Sequence, residues 1–123
     1  MADFETGLSP FSREAGEDLE GKQYYGVKIA SDGQAVLVDA ITDAFVGILQ
    51  TETDTIGDAV SIASRGVSFG IAGAAVAAGA ALECNASGKF ITLTTGVKVG
   101  TAMTAASGDG VRFSINLDAN GVA

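Results

Sequence analysis

The sequence predicts a mainly β domain: a small antiparallel barrel or sandwich of about eight or nine short strands, with an extended N-terminal arm. Large apolar residues alternate with small or polar ones at a period of two, which is typical of strands. Seventeen glycines in 123 residues indicate many tight turns. The longest stretch without a charge has the pattern of strands rather than of a helix.

That uncharged stretch covers residues 66–82, GVSFGIAGAAVAAGAAL. It is shorter than the roughly 20 apolar residues that a membrane helix needs, and much of it is glycine and alanine. Val67, Phe69 and Ile71 lie two residues apart, whereas a helix would space such residues by three or four. We therefore predict a strand, a turn near residues 72–78 and a second strand over 80–84, with no membrane partner.

The same alternation recurs along the chain, and turn dipeptides separate the runs. Asp32-Gly33, Ser87-Gly88 and Asp109-Gly110 are turn sequences of known chemistry. Many short strands spaced in this way are typical of antiparallel sandwiches and barrels. The alternating apolar positions are Tyr25, Val27 and Ile29; Val60 and Ile62; Ile91 and Leu93; and Val111, Phe113, Ile115 and Leu117.

A weak internal repeat supports this interpretation. VGILQT at 46–51 leads to GDAVSI at 57–62, and VGTAMT at 99–104 leads to GDGVRF at 108–113. Each copy has the pattern strand, polar loop, Gly-Asp turn, strand. Because a solenoid needs at least three copies, two copies predict paired hairpins within one barrel.

The first 20 residues differ from the rest, so we predict an acidic arm over 1–20 and a single β domain over 21–123. The arm holds six carboxylates against Arg13 alone, a net charge of −5. Phe4, Leu8 and Phe11 are bulky apolar residues in a segment too short to bury them by itself. Either the arm packs elsewhere or it is a disordered tail, and the sequence leaves both open.

Charge and cysteine content narrow the class of protein. The formal charge is −8, so the chain would be repelled by nucleic-acid phosphates and we predict no nucleic-acid partner. Cys84 is the single cysteine and cannot form an internal disulfide, which fits a reducing compartment. The N-terminus MADFETGLSP has neither a basic region nor an apolar core, so no secretion signal is expected.

Residue types that carry chemistry are scarce, so we predict no catalytic, cofactor or metal site and no enzyme activity. The chain contains no histidine, the commonest general base and transition-metal ligand. Asp54 and Asp58 flank Gly57 but fit no EF-hand spacing, and solvated loop carboxylates explain them better. Ser87-Gly88-Lys89 lacks the other residues of a phosphate loop.

Over about residues 14–117 the sequence resembles a family of tailed-phage and prophage capsid cement, or decoration, proteins. The order and spacing of five segments carry the resemblance. They are EDLEGKQYYGVK at 17–28, FVGILQ at 45–50, GDAV at 57–60 through RGV at 65–67, VAAGAAL at 76–82 before Gly88-Lys89, and VGTA at 99–102.

The resemblance implies a structural function. Family members are β-rich proteins on the outside of a phage head, commonly trimers, and they reinforce contacts between major capsid protein subunits. It therefore implies the major capsid protein and further copies of this chain as partners, with synthesis in the host cytoplasm. We expect Phe4, Leu8 and Phe11 to dock the arm on a neighbouring subunit. We expect Tyr24 and Tyr25 to lie on opposite faces of one strand, one of them free for an interface.

A second class of function remains open from the residues alone. A small β-barrel binding module that recognises a glycan or a peptide would have the same composition. The shortage of exposed aromatic residues and the lack of a secretion signal count against it.

Overall fold

Ten antiparallel strands form two five-stranded sheets in this computed structural model, which describes residues 5–8 and 10–118. The sheets are open rather than closed, so of the two predicted architectures the sandwich is confirmed. The strand count in the described residues exceeds the predicted eight or nine. The strands are β1 Pro10–Glu14, β2 Gly26–Ile29, β3 Ala35–Leu37, β4 Phe45–Leu49, β5 Ala59–Ala63, β6 Arg65–Ile71, β7 Ala81–Cys84, β8 Phe90–Thr92, β9 Gly100–Ala102 and β10 Arg112–Asp118.

The uncharged stretch forms strands, as predicted. It supplies β6, a turn and the start of β7, and within the described residues no helix is long and apolar enough to cross a membrane. The three predicted turn dipeptides are also confirmed. Gly33, Gly88 and Gly110 have φ of 85°, 77° and 82°, a backbone conformation that favours glycine.

The two sheets are structural repeats of each other. Their strand orders are β1-β5-β4-β2-β3 and β6-β10-β9-β7-β8, so that adding five to each strand number converts the first order into the second. The equivalent strands β2 and β7 begin at Gly26 and Ala81, and β3 and β8 begin at Ala35 and Phe90, a separation of 55 residues in both cases. We call residues 10–63 the first repeat and residues 65–118 the second repeat.

This arrangement explains the weak sequence repeat. Its two copies are the hairpins β4–β5 and β9–β10, which pair antiparallel at equivalent places in different sheets. The prediction of two paired hairpins within one barrel is therefore wrong in one respect, because each hairpin belongs to its own sheet. Equivalent loop bonds repeat as well, since Ala15 N donates to Asp58 O at 2.8 Å and Ala72 N donates to Val111 O at 2.9 Å.

Two hydrophobic clusters form the core. Ile48 and Leu49 are neighbours in β4 but belong to different clusters, because successive side chains of a strand point to opposite faces. The first sheet is thus buried on both faces. The smaller cluster lies within the first repeat and consists of Ala15, Leu19, Val27, Ala35, Leu49, Val60 and Ile62. The larger cluster joins the repeats, with Val38, Phe45, Ile48 and Ala63 packed among residues of the second repeat such as Leu82, Phe90 and Phe113.

The N-terminal segment packs on the rest of the chain wherever it is described. Pro10–Glu14 pairs with β5 as the edge strand β1, and Ala15 and Leu19 are completely buried in the smaller cluster. Phe4 lies outside the described residues. The division into an arm of 1–20 and a domain of 21–123 remains a prediction, while residues 10–20 contribute both a strand and core side chains.

Candidate docking surface

Among the described residues, one edge of β6 is not paired with another strand. Residues 5–8 and Tyr24 lie along this edge, and we call their contact with β6 the seam. On this edge three backbone N–H groups donate hydrogen bonds to acceptors in different parts of the chain. Val67 N donates to Thr6 O at 2.8 Å, Phe69 N to Glu5 Oε2 at 3.1 Å, and Ile71 N to Tyr24 O at 3.2 Å. Residues 5–8 and Tyr24 therefore cover an edge that would otherwise be open to pairing with another chain.

Glycine makes the close approach at this seam possible. Gly66 has a φ of 93°, and a Cβ at that position would overlap the Gly7 carbonyl oxygen. A larger residue would push residues 5–8 away from β6. The Glu5 carboxylate adds a second bond to the seam by accepting from Ser68 Oγ at 3.2 Å.

The equivalent edge of the first repeat is protected in another way. The β1–β5 and β6–β10 registers place Pro10 at the position that corresponds to Val67, and proline has no N–H to donate. Arg13 Nη1 donates to the Ser12 carbonyl at 3.0 Å next to it. A partner is therefore more readily bound by side chains than by strand addition at these two edges.

Three side chains pack together where the seam meets solvent. We call Tyr24, Phe69 and Arg112 the seam cluster. The ring of Tyr24 meets the ring of Phe69 edge-on, with centroids 5.3 Å apart and an interplanar angle of 73°. The Arg112 guanidinium carbon lies 4.1 Å from the Phe69 ring centroid, within cation–π range. Tyrosine and arginine are, with tryptophan, the residue types enriched among those that dominate binding energy at protein interfaces.

The electrostatic surroundings keep Tyr24 a neutral phenol at physiological pH. Burial raises its pKa above 10.0, the negative charge of Glu5 raises it further, and the positive charge of Arg112 opposes both. The hydroxyl consequently remains a hydrogen-bond donor.

The predicted interface residues are dispersed over several surroundings. Leu8 is half-buried against the larger cluster, and Phe11 is half-buried against the smaller cluster with the Arg13 guanidinium carbon 5.5 Å from its ring centroid. Tyr25 lies apart from Tyr24, with Lys22 Nζ 5.1 Å from its ring centroid. Of the described candidates, Tyr24 alone belongs to the seam cluster.

The expected placement of the two tyrosines in one strand is wrong. β2 begins at Gly26, and Tyr24 has a φ of 72°, which turns the chain immediately before the strand. Both tyrosines are half-buried, so neither is a full core residue. No local pattern indicates this turn, because positive φ is rare at residues other than glycine, asparagine and aspartate.

The contact between Phe69 and Arg112 is likewise not predicted by the sequence. Both residues were placed correctly in strands, but their contact depends on the β6–β10 register, in which Ser114 pairs with Phe69 and Arg112 pairs with Ile71. Long-range register of this kind leaves no local signal in a single sequence.

Asp54, Asp58 and Cys84 have ordinary structural surroundings. Asp58 Oδ2 accepts from Thr53 Oγ1 at 2.8 Å, and Asp54 Oδ1 accepts from Thr55 Oγ1 at 3.0 Å. Over residues 5–8 and 10–118 no three metal-binding side chains group together. Cys84 is buried, and burial raises its pKa to about 12, so its thiol stays protonated at physiological pH.

Comparisons with known proteins fit this geometry. The family described as phage cement protein matches residues 24–117. The fold is similar to that of the N base of head fiber gp8.5 in bacteriophage phi29, with a TM-score of 0.64 over 92% of this chain and 96% of that chain at 14% sequence identity. At that identity the likeness shows the fold alone. A search of curated proteins gives no match.

The fold is that of a β-sandwich protein with two sheets of equivalent strand order. With most of its length matched, the chain belongs to the phage cement protein family, and its role is structural and associated with the phage capsid.

Proposed function

We propose that this protein is a capsid decoration protein that binds the outer surface of a phage head and reinforces contacts between major capsid protein subunits. The observation that carries the proposal is the family match over residues 24–117. In this proposal the protein is made in the host cytoplasm, acts as a homotrimer and has no enzymatic role. Several protomers that touch several shell subunits would gain affinity from multivalency.

The seam cluster supports the proposal as the contact surface. Its two rings and guanidinium are pre-ordered by one another and by Glu5, so little side-chain entropy remains to be lost on binding. Tyr24 is therefore the main anchor among the five predicted interface residues. Leu8 and Phe11 would hold the N-terminal segment in place, Tyr25 would form a separate contact beside Lys22, and Phe4 would extend the segment's contact.

The first experiment is co-sedimentation with phage heads assembled without this protein. We expect the wild-type chain to band with the heads at a fixed copy number relative to the major capsid protein. Sedimentation equilibrium of the free protein would test the trimer separately. Free protein left at the top of the gradient at all concentrations would contradict the decoration role.

A prediction for the seam follows from its geometry. Replacing Arg112 with alanine removes the cation from the Phe69 ring and should weaken head binding about tenfold or more while the fold is retained. Binding isotherms on heads measure the effect, and unchanged circular dichroism shows that the fold is retained. Arg65→Ala is the matched control, because Arg65 is also exposed and lies at the start of β6. Equal losses in both variants would argue against the seam cluster.

A further inference from the structure

The two structurally equivalent repeats carry very different charge. Residues 10–63 hold ten carboxylates and three cations, a net charge of −7, whereas residues 65–118 hold three carboxylates and four cations, a net charge of +1. Since each repeat builds a sheet of the same strand order, this strand arrangement does not by itself require the extra acidic residues of the first repeat. Their concentration calls for a functional explanation.

Two acidic loops of the first repeat meet at one end, and we call residues 14–20 and 52–58 the acidic end. Leu19 N donates to Thr53 O at 2.8 Å, and Gly57 N donates to Ala15 O at 2.9 Å. Neither segment contains a lysine or an arginine. The carboxylates of the two segments are Glu14, Glu17, Asp18, Glu20, Glu52, Asp54 and Asp58.

An apolar side chain projects from the acidic end. Ile56 is 64% exposed, the most exposed large apolar residue in the part of the chain that the structure describes. Its loop is held by the bond from Gly57 to Ala15, by Asp58 N donating to Thr55 O at 3.2 Å, and by the Thr53–Asp58 side-chain bond. This loop thus presents an isoleucine to solvent, with Asp54 and Asp58 two residues before and after it in the sequence.

The corresponding loop of the second repeat is not acidic, and its apolar residue Met103 is less exposed than Ile56. Residues 103–111 join β9 to β10 as residues 50–58 join β4 to β5, and they contain one carboxylate, Asp109. That carboxylate is already paired with Lys89 Nζ at 3.0 Å. The acidic, isoleucine-tipped loop therefore belongs to the first repeat specifically.

We propose that the acidic end is a second contact surface, which binds a positively charged surface of a phage shell protein with an apolar pocket for Ile56. The inference rests on the proposed decoration function and names the chemistry of the partner. Charge complementarity selects this occupant, because the acidic end contains seven carboxylates and no cation, and the acidic end of a second copy would repel it. The carboxylates steer the approach, and Ile56 supplies the buried contact.

The test measures binding to heads assembled without this protein at about 50 mM and about 500 mM salt. One variant combines Glu20→Gln, Glu52→Gln and Asp54→Asn, which removes charge but keeps polar side chains. Glu52→Gln also keeps an acceptor for Gly21 N. A second variant is Ile56→Ser, and its matched control is Met103→Ser, because Met103 is 39% exposed in the corresponding loop of the second repeat.

We expect the wild-type affinity to fall with salt, the triple variant to bind about tenfold more weakly with a shallower salt dependence, and Ile56→Ser to lose about tenfold. Met103→Ser should bind like the wild type. Wild-type binding that neither salt nor these substitutions change would overturn this inference and leave the decoration function standing. No wild-type binding at all would overturn both. A loss of self-association in Ile56→Ser would identify a second copy as the occupant and also overturn the inference.

Discussion

Replacing Glu83 with alanine should lower the free energy of unfolding by about 3 kcal/mol, because it removes a buried carboxylate that accepts three hydrogen bonds. Glu83 is 1% exposed in β7. Its carboxylate accepts from Gly96 N at 2.8 Å, from Thr94 N at 3.1 Å and from Thr94 Oγ1 at 3.0 Å. Chemical denaturation at neutral pH measures the loss.

The effect should extend to the contact between the repeats. The loop that Glu83 holds continues to Val97, whose N–H donates to Ile41 O of the first repeat at 3.0 Å. Without the carboxylate this loop loses the anchor that positions it against Ile41. We therefore expect earlier hydrogen exchange at the Gly96 and Val97 amides in Glu83→Ala than in the wild type.

The contribution of Glu83 should also depend on pH. Burial raises its pKa, but the hydrogen bonds from Thr94, Gly96 and Thr95 together outweigh burial and hold the pKa below 4.5. A carboxyl group with a lowered folded-state pKa stabilises the fold fully above the unfolded value, and this stabilisation is lost as the pH falls through the folded value. The stability difference between wild type and Glu83→Gln should be largest at neutral pH and narrow below pH 4.5.

The control for both measurements is Glu52→Gln. Glu52 also accepts a backbone hydrogen bond, from Gly21 N at 3.2 Å, but it is exposed on the first repeat. Its replacement should change stability by less than about 0.5 kcal/mol. Similar losses for the two residues, or a gap for Glu83→Gln that widens in acid, would contradict the structural role given to Glu83.

Gly47→Ala and Gly100→Ala should each lower the free energy of unfolding by about 1–3 kcal/mol, because neither site has room for a methyl group. A Cβ at Gly47 would overlap the Ala63 carbonyl oxygen and lie 2.7 Å from Ile62 Cγ2. A Cβ at Gly100 would overlap the Asn116 carbonyl oxygen and lie 3.1 Å from Ile115 Cγ2. The two glycines thus meet the same obstacle in the two repeats.

Thermal unfolding of the single variants, with Gly108→Ala as control, tests this. Gly108 has an ordinary φ, and a Cβ there would meet nothing within 4 Å among the described residues. Alanine at that position should be neutral or slightly stabilising, because it restricts the unfolded chain. A loss at Gly108 as large as at Gly47 would show that the cost comes from glycine replacement in general rather than from strand packing.

Gly47 and Gly100 belong to the sequence repeat, which predicted part of the fold. The recurring VG at 46–47 and 99–100 predicted two equivalent hairpins correctly. It did not predict that the hairpins lie in separate sheets, nor that the remaining strands also repeat. Outside the hairpins the two repeats share too few residue types, because equivalent strands pack against different neighbours, as the two clusters show.

The candidate site was predicted only in part. The family resemblance predicted Tyr24 as a candidate interface residue. Phe69, Arg112 and the buried Glu83 were missed as contacts, although a carboxylate between Leu82 and Cys84 in a predicted strand was a usable signal. A charge between residues that are buried in a strand requires hydrogen-bond partners, and those partners lie 11 and 13 residues further along the chain.

The sequence by itself determined the class of fold, most strand positions, the turn glycines and the family. Each of these depends on local alternation, on turn chemistry or on motif order, which a single chain displays directly. The tertiary structure alone decided the duplication of the two sheets, the seam that gathers Tyr24, Phe69 and Arg112, and the meeting of the two acidic loops. The physical reason is that strand register and packing between distant segments depend on which residues the whole chain buries. A local sequence pattern does not specify this.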